Sequence, residues 1–140
     1  MKYALIIPFL LALCFTASAQ DSDVEYMLST HILDISTGQP APGVTVELEK
    51  TNQDSDVWAF VAKKETGDDG RIDDFLPVPD AQPDDKAIYR LTFYTQPYFE
   101  EQGTDTFFPY VQVVFEIDEN QHYHVPITLS PFGYATYRGS

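Results

Sequence analysis

The chain has three histidines, His31, His122 and His124. Imidazoles titrate near neutrality and are the usual general bases of hydrolytic sites. His122 and His124 stand two apart, so on a strand both project from the face opposite Tyr123, Val125 and Ile127. A two-apart pair joined by a third histidine could hold zinc through three nitrogens. The same rings could instead activate water without a metal, or stand exposed with no role beyond structure. The acidic doublets Asp68-Asp69, Asp73-Asp74 and Asp84-Asp85 lack the ordered spacing of a calcium loop and read as solvated turns. No Gly-x-Ser-x-Gly elbow, P-loop or dinucleotide fingerprint occurs. Phe132 to Ser140 carries three aromatics and Arg138, which predicts an end tied down for use rather than frayed.

Strands must position these groups. Val44, Val46 and Leu48 alternate with Thr45, Glu47 and Glu49, the period of a strand with one wet face. Tyr89, Leu91 and Phe93 form a second apolar row; Val111, Val113, Phe115 and Ile117 a third; Tyr123, Val125, Ile127 and Leu129 a fourth. Tyr26 to Ile35 and Val57 to Lys64 are expected strands with less clean alternation, and His31 falls in the first. Turn clusters separate them at Gly38 to Gly43, Thr66 to Gly70 and Pro77 to Asp85, and Asp69-Gly70 suits a tight turn with positive φ. Only Pro97 to Gln102 invites a helix, a short one, with Gly103 at its end. The pattern predicts an all-β protein, an antiparallel β-sandwich of seven to eight strands with one short helix.

The 140 residues set a prior of one domain. A formal charge of −14 argues against nucleic-acid backbones and anionic membrane surfaces as partners. Residues 1–19 read as a cleavable secretory leader: Lys2, an apolar run from Ala4 to Phe15, then Ala17-Ser18-Ala19 before the cut. That run is too short for a permanent span of the roughly 30 Å hydrocarbon core. Acylation at Cys14 is the weaker reading, because Leu13 before it is bulky. Residues 20–140 would then be the folded domain, without cysteine, delivered to the periplasm.

Three separated blocks resemble the enzymatic branch of the transthyretin family, the 5-hydroxyisourate hydrolases. They are Leu28 to Asp34 with Gly38 to Val44; Asp69-Gly70-Arg71-Ile72; and His122 to Tyr134 ending in Tyr137-Arg138-Gly139-Ser140. Phe107-Phe108-Pro109 also matches the family's segment before the strand at Val111. The resemblance implies a transthyretin-like sandwich over residues 20–140 and a homotetramer, a dimer of dimers with sites at the dimer–dimer interface. It implies hydrolysis of 5-hydroxyisourate in urate degradation, with no cofactor and no metal. Carried over by motif, the catalytic residues fall on His31, Arg71, His124 and Ser140, with His31, Arg71 and Tyr137 on the substrate. His122 reads as a neighbour of the site. The main rival is a non-catalytic transthyretin-like protein that binds a small ligand; that branch lacks the His-Tyr-His strand and the Tyr-Arg-Gly-Ser end. Departures from the pattern are a long polar connection at Thr51 to Asp56, Ile127-Thr128 where an apolar pair is usual, and the leader itself.

Overall fold

A computed structural model describes residues 25–51, 55–78, 86–119 and 121–139. The expected leader at 1–19, the middle of the polar connection at 52–54, and Ser140 lie outside the described residues.

Ten strand segments and one helix follow in chain order: β1 (Tyr26–Asp34), β2 (Gln39–Pro40), β3 (Thr45–Thr51), β4 (Ala59–Glu65), β5 (Arg71–Pro77), β6 (Ala87–Phe93), α1 (Thr95–Glu101), β7 (Val111–Ile117), β8 (Tyr123–His124), β9 (Ile127–Ser130) and β10 (Gly133–Thr136). They form two sheets. One is four-stranded in the order β4-β3-β6-β7; the other is six-stranded along β10-β9-β1-β2, with β5 and β8 also pairing β1. This is the expected sandwich, with one refinement of direction: β1 runs parallel to β8 and β9, while the remaining pairs are antiparallel.

The alternating rows become the core. Val46, Leu48, Leu91, Phe93 and Val111 from one sheet meet Leu28, Ile32, Ile127 and Leu129 from the other, all at most 1% exposed. Fully burying each such side chain contributes about 1.5–3 kcal/mol before entropy is charged against it. The row Tyr123, Val125, Ile127, Leu129 is buried throughout, yet it forms two strands, because Pro126 has no N–H to give the ladder.

α1 starts two residues before the expected Pro97, so the proline occupies its first turn, where backbone N–H groups need no intrahelical partner. Phe99 plugs the helix into the core at 1% exposure. Three strands were not foreseen. β2 lies inside the Gly38 to Gly43 turn cluster, the apolar residues of β5, Ile72, Phe75 and Leu76, break the period of two, and β10 is only half-buried to exposed. Among the described residues no helix is long and apolar enough to cross a membrane.

Candidate functional site

The site begins with how β1 divides its side chains. Leu28, Thr30, Ile32 and Asp34 point into the core at 0% exposure. Alternation therefore sends Ser29 and His31 to the outer face of the six-stranded sheet. Ser29 is nevertheless buried there, at 3% exposure, while His31 is half-buried.

Arg71 opens β5 directly opposite His31 in the antiparallel register. The turn before it fixes this placement. Gly70 has φ +72°, and a Cβ there would lie 2.6 Å from the Ile32 carbonyl oxygen, so only glycine fits. The Ile32 N–H donates to the Gly70 carbonyl at 2.9 Å, and the Arg71 N–H donates to Asp69 Oδ1 at 3.0 Å. Beyond this point β5 bulges: from the Thr30–Ile72 pair to the Leu28–Leu76 pair, β1 moves two residues and β5 moves four. The bulge leaves both Asp73 and Asp74 exposed.

The other flank of β1 receives β8. Ser29 is the register partner of His124, the Val125 N–H donates to the Ser29 carbonyl at 3.0 Å, and the Thr30 hydroxyl donates to the Val125 carbonyl at 2.7 Å. These bonds bring two imidazoles onto one hydroxyl. Ser29 Oγ lies 2.9 Å from His124 Nδ1 and 3.1 Å from His122 Nε2. His122 is therefore hydrogen-bonded into the cluster. Ser29, which strand alternation alone would have put beside His31, is the member that sequence reasoning missed.

The electrostatics follow from the crowding. Burial lowers the pKa of His124 below the usual 6.5, and the nearby charge of Arg71, with His122 and His31, pushes the same way against an opposing pull from Asp73. At neutral pH His124 is a neutral imidazole, the form that can take a proton. His31 Nε2 is buried without a hydrogen-bond partner among the described residues. A buried nitrogen left unpaired carries a desolvation cost. Among the described residues no three His, Cys, Asp or Glu side chains gather into a metal-binding set.

The C-terminal segment closes against this cluster. The Gly139 N–H donates to the His124 carbonyl at 2.8 Å, forming an isolated antiparallel bridge. A Cβ on Gly139 would sit 2.4 Å from His124 Cδ2, so the tail can lie flat on the imidazole only because residue 139 has no side chain. Arg138 stacks its guanidinium 5.2 Å above the Tyr123 ring, whose hydroxyl donates to Asp118 at 2.9 Å. Tyr137 is exposed and joins His124, Tyr123, Arg138, Val113 and Phe115 around an open cleft of about 380 Å³. His31 and Arg71 do not line that cleft; they lie on the open sheet face. Of the sequence-based candidates, His31, Arg71 and His124 come together, Tyr137 borders His124, and Ser140 is outside the described residues.

Chemically, the face offers the neutral imidazole of His124, two further imidazoles, a guanidinium for anionic or carbonyl oxygens and, among the described residues, no thiol. That set suits attack by water on a polarised carbonyl.

The family model described as the HIUase/Transthyretin family matches residues 28–139. The chain is similar to the 5-hydroxyisourate hydrolase of Salmonella typhimurium, at 49% identity over 115 residues that cover 81% of each chain. It resembles the solved Klebsiella pneumoniae 5-hydroxyisourate hydrolase at a TM-score of 0.64 and 37% identity, covering 84% of this chain and 99% of that one. It also resembles transthyretin from Sparus aurata at a TM-score of 0.70 and 28% identity, covering 82% and 97%.

Proposed function

The chain belongs to the HIUase/transthyretin family, and from that premise we propose that it hydrolyses 5-hydroxyisourate at the outer face of its six-stranded sheet. It is an enzyme of urate degradation, a hydrolase of a cyclic amide C–N bond. The observation that carries the site assignment is the convergence of His31, Arg71 and His124 on one face. Identity to the hydrolases exceeds identity to transthyretin, and the same cluster favours catalysis over simple ligand carriage.

The reaction adds water across a ring C–N bond, yielding 2-oxo-4-hydroxy-4-carboxy-5-ureidoimidazoline. A water oxygen bonds to the ring carbonyl carbon, the C–N bond breaks, and the leaving nitrogen takes up a proton. His124, neutral at pH 7, removes the proton from the attacking water. Arg71 faces the carbonyl and offsets the charge that grows on its oxygen. His31, beside Arg71 on the same face, holds the substrate ring at the distance attack requires. Tyr137 supplies a further hydrogen bond from the tail, and Ser140 completes it. The residues present require no cofactor for these steps.

A cluster on an open face needs a wall. We therefore assign the working form to a homotetramer, a dimer of dimers, in which a second protomer covers the face and encloses the substrate. Exposed Phe107 and Tyr134 flank the Phe108 ring, and with exposed Phe132 they offer apolar surface that a neighbouring protomer would cover. Residues 1–19 would direct the chain to the periplasm, leaving residues 20–140 as the mature domain.

The deciding measurement generates 5-hydroxyisourate from urate with urate oxidase and follows its ultraviolet decay with and without residues 20–140. Acceleration over the spontaneous rate is expected, and loss of most of it on deleting Tyr137 to Ser140. Spontaneous decay with folded protein present would refute the assignment, and full activity of the truncated protein would remove the tail from the site.

A further inference from the structure

The hydroxyl between two imidazoles has a consequence for the proton on His124. A serine hydroxyl carries one hydrogen and can accept two bonds. Ser29 is buried at 3% exposure, and the two partners of its hydroxyl among the described residues are His122 Nε2 and His124 Nδ1. Two donating rings would leave the buried hydroxyl hydrogen without a partner, which is costly, so the hydrogen goes to one ring and the other ring donates to the oxygen.

The two arrangements have opposite chemistry. When Ser29 donates to His122 Nε2, His124 donates from Nδ1–H, and its Nε2 keeps a free lone pair that can accept a proton from water. When Ser29 donates to His124 Nδ1, His124 must carry its hydrogen on Nε2 and has no lone pair to offer there. A protonated His122 bears a hydrogen on Nε2 and cannot accept from Ser29, so it drives the cluster into the second arrangement.

Resting on the reading of His124 as the base, we propose that Ser29 and His122 are positioning residues that set the His124 tautomer: neutral His122 holds His124 in its Nδ1–H, base-competent form, and protonated His122 withdraws it. Once His124 has taken the proton from water it carries hydrogen on both nitrogens. Nδ1–H still donates to Ser29, so nothing in the relay needs to rearrange during attack. The groups that face His124 fit this arrangement. Arg71 and Asp73 lie on β5, His31 and Ser29 on β1, and His122 precedes β8. From the tail side comes the backbone of Gly139, with the charge of Arg138 turned away over Tyr123. Ser29 is the one hydroxyl of the cluster bonded to Nδ1 of His124. His122 is exposed, sharing a cleft with Glu25 and Tyr26, so it can exchange protons with solvent while Ser29 cannot.

The test uses the folded mature chain, with Ser29→Ala, Ser29→Thr, His122→Ala and the Ser29→Ala/His122→Ala double variant. Steady-state rates of 5-hydroxyisourate decay are measured from pH 5.5 to 9, and nitrogen-15 NMR reads the His124 tautomer in each protein. Wild type is expected as the Nδ1–H tautomer at neutral pH. Ser29→Ala and His122→Ala should each lower kcat on the order of tenfold, with KM within about twofold, a fraction of what a general base contributes. The double variant should be no worse than the worse single, because one relay is being broken twice. Ser29→Thr, which keeps the hydroxyl, should restore kcat and the tautomer. The acid limb of the pH profile should move in His122→Ala. An Nε2–H tautomer in the active wild type, or unchanged kcat, pH profile and tautomer in Ser29→Ala and His122→Ala, would overturn the proposal. Should Ser29→Ala fail to fold, the exposed His122→Ala decides alone. Should the wild type show no hydrolysis, the assigned reaction falls, while the NMR readout still decides whether the relay exists.

Discussion

The two sheets of this sandwich are built to opposite standards. In the four-stranded sheet, β3 and β6 pair without a break from Val46–Phe93 to Thr51–Ile88, as do β6 and β7 from Ala87–Ile117 to Phe93–Val111; its one register shift, at Leu48–Glu49, faces the edge strand β4. Its outward side chains settle charge against charge: Lys63 with Glu47, and Arg90 with Glu49 beneath Trp58. In the six-stranded sheet, β5 bulges against β1, and Val125-Pro126 separates β8 from β9. Its outward side chains are imidazoles, a guanidinium and a hydroxyl. An unbroken ladder repeats one side-chain geometry; each bulge or break aims a group in a new direction. The more regular sheet turns paired charges outward, and the irregular one gathers the candidate site.

The largest expected effect pulls the two apart. His124→Ala should lower kcat by about 10²–10⁴, the usual contribution of a general base, while the thermal midpoint and the size of the assembly stay as in the wild type. Wild-type turnover in that variant would mean that the irregular sheet is not the catalytic one. The converse change is Leu91→Ala, at 0% exposure in the regular sheet. It should cost about 2–5 kcal/mol in denaturant unfolding and leave kcat per folded molecule unchanged. A large activity loss without a stability loss would erase the division of labour.

The smallest effect concerns pH. His124 is harder to protonate in the folded protein than its ordinary value of 6.5 implies, so the unfolded chain binds more protons below that value. The contribution of this group to stability is complete above pH 6.5 and is lost as the pH falls toward the lowered folded value. Denaturant midpoints between pH 5 and 7 should rise with pH, and the rise should be shallower in His124→Gln. Midpoints that fall with rising pH across that window would contradict the electrostatic account.

The same contrast decides what could be read from the sequence. The regular sheet was legible because Val46-Leu48 and Leu91-Phe93 follow the period of two that an unbroken strand imposes. β5 was not, because its bulge spaces Ile72 and Phe75 three apart and disguises a strand as a loop. His31, Arg71 and His124 were found through motif resemblance, and no local pattern near Arg71 predicts its pairing with His31. Ser29 was hidden for another reason: a serine in a strand looks inert until it is known which two side chains reach it from some 95 residues away. The Asp69-Gly70 turn was readable in type, and its purpose became visible only with the Ile32 carbonyl against it.

Pairing Leu28 with Tyr123 and Ile32 with Ile127 also has a consequence in time. These contacts join the first described strand to β8 and β9, some 95 residues away, so closing them costs the entropy of a long loop. Non-local strand pairing of this kind folds in about milliseconds to seconds, against microseconds for helical bundles. Until β8 arrives, β1 stands with one edge open, and His124 is nowhere near Ser29 or His31. With the proposed site, regain of activity during refolding should follow the closure of β8 onto β1.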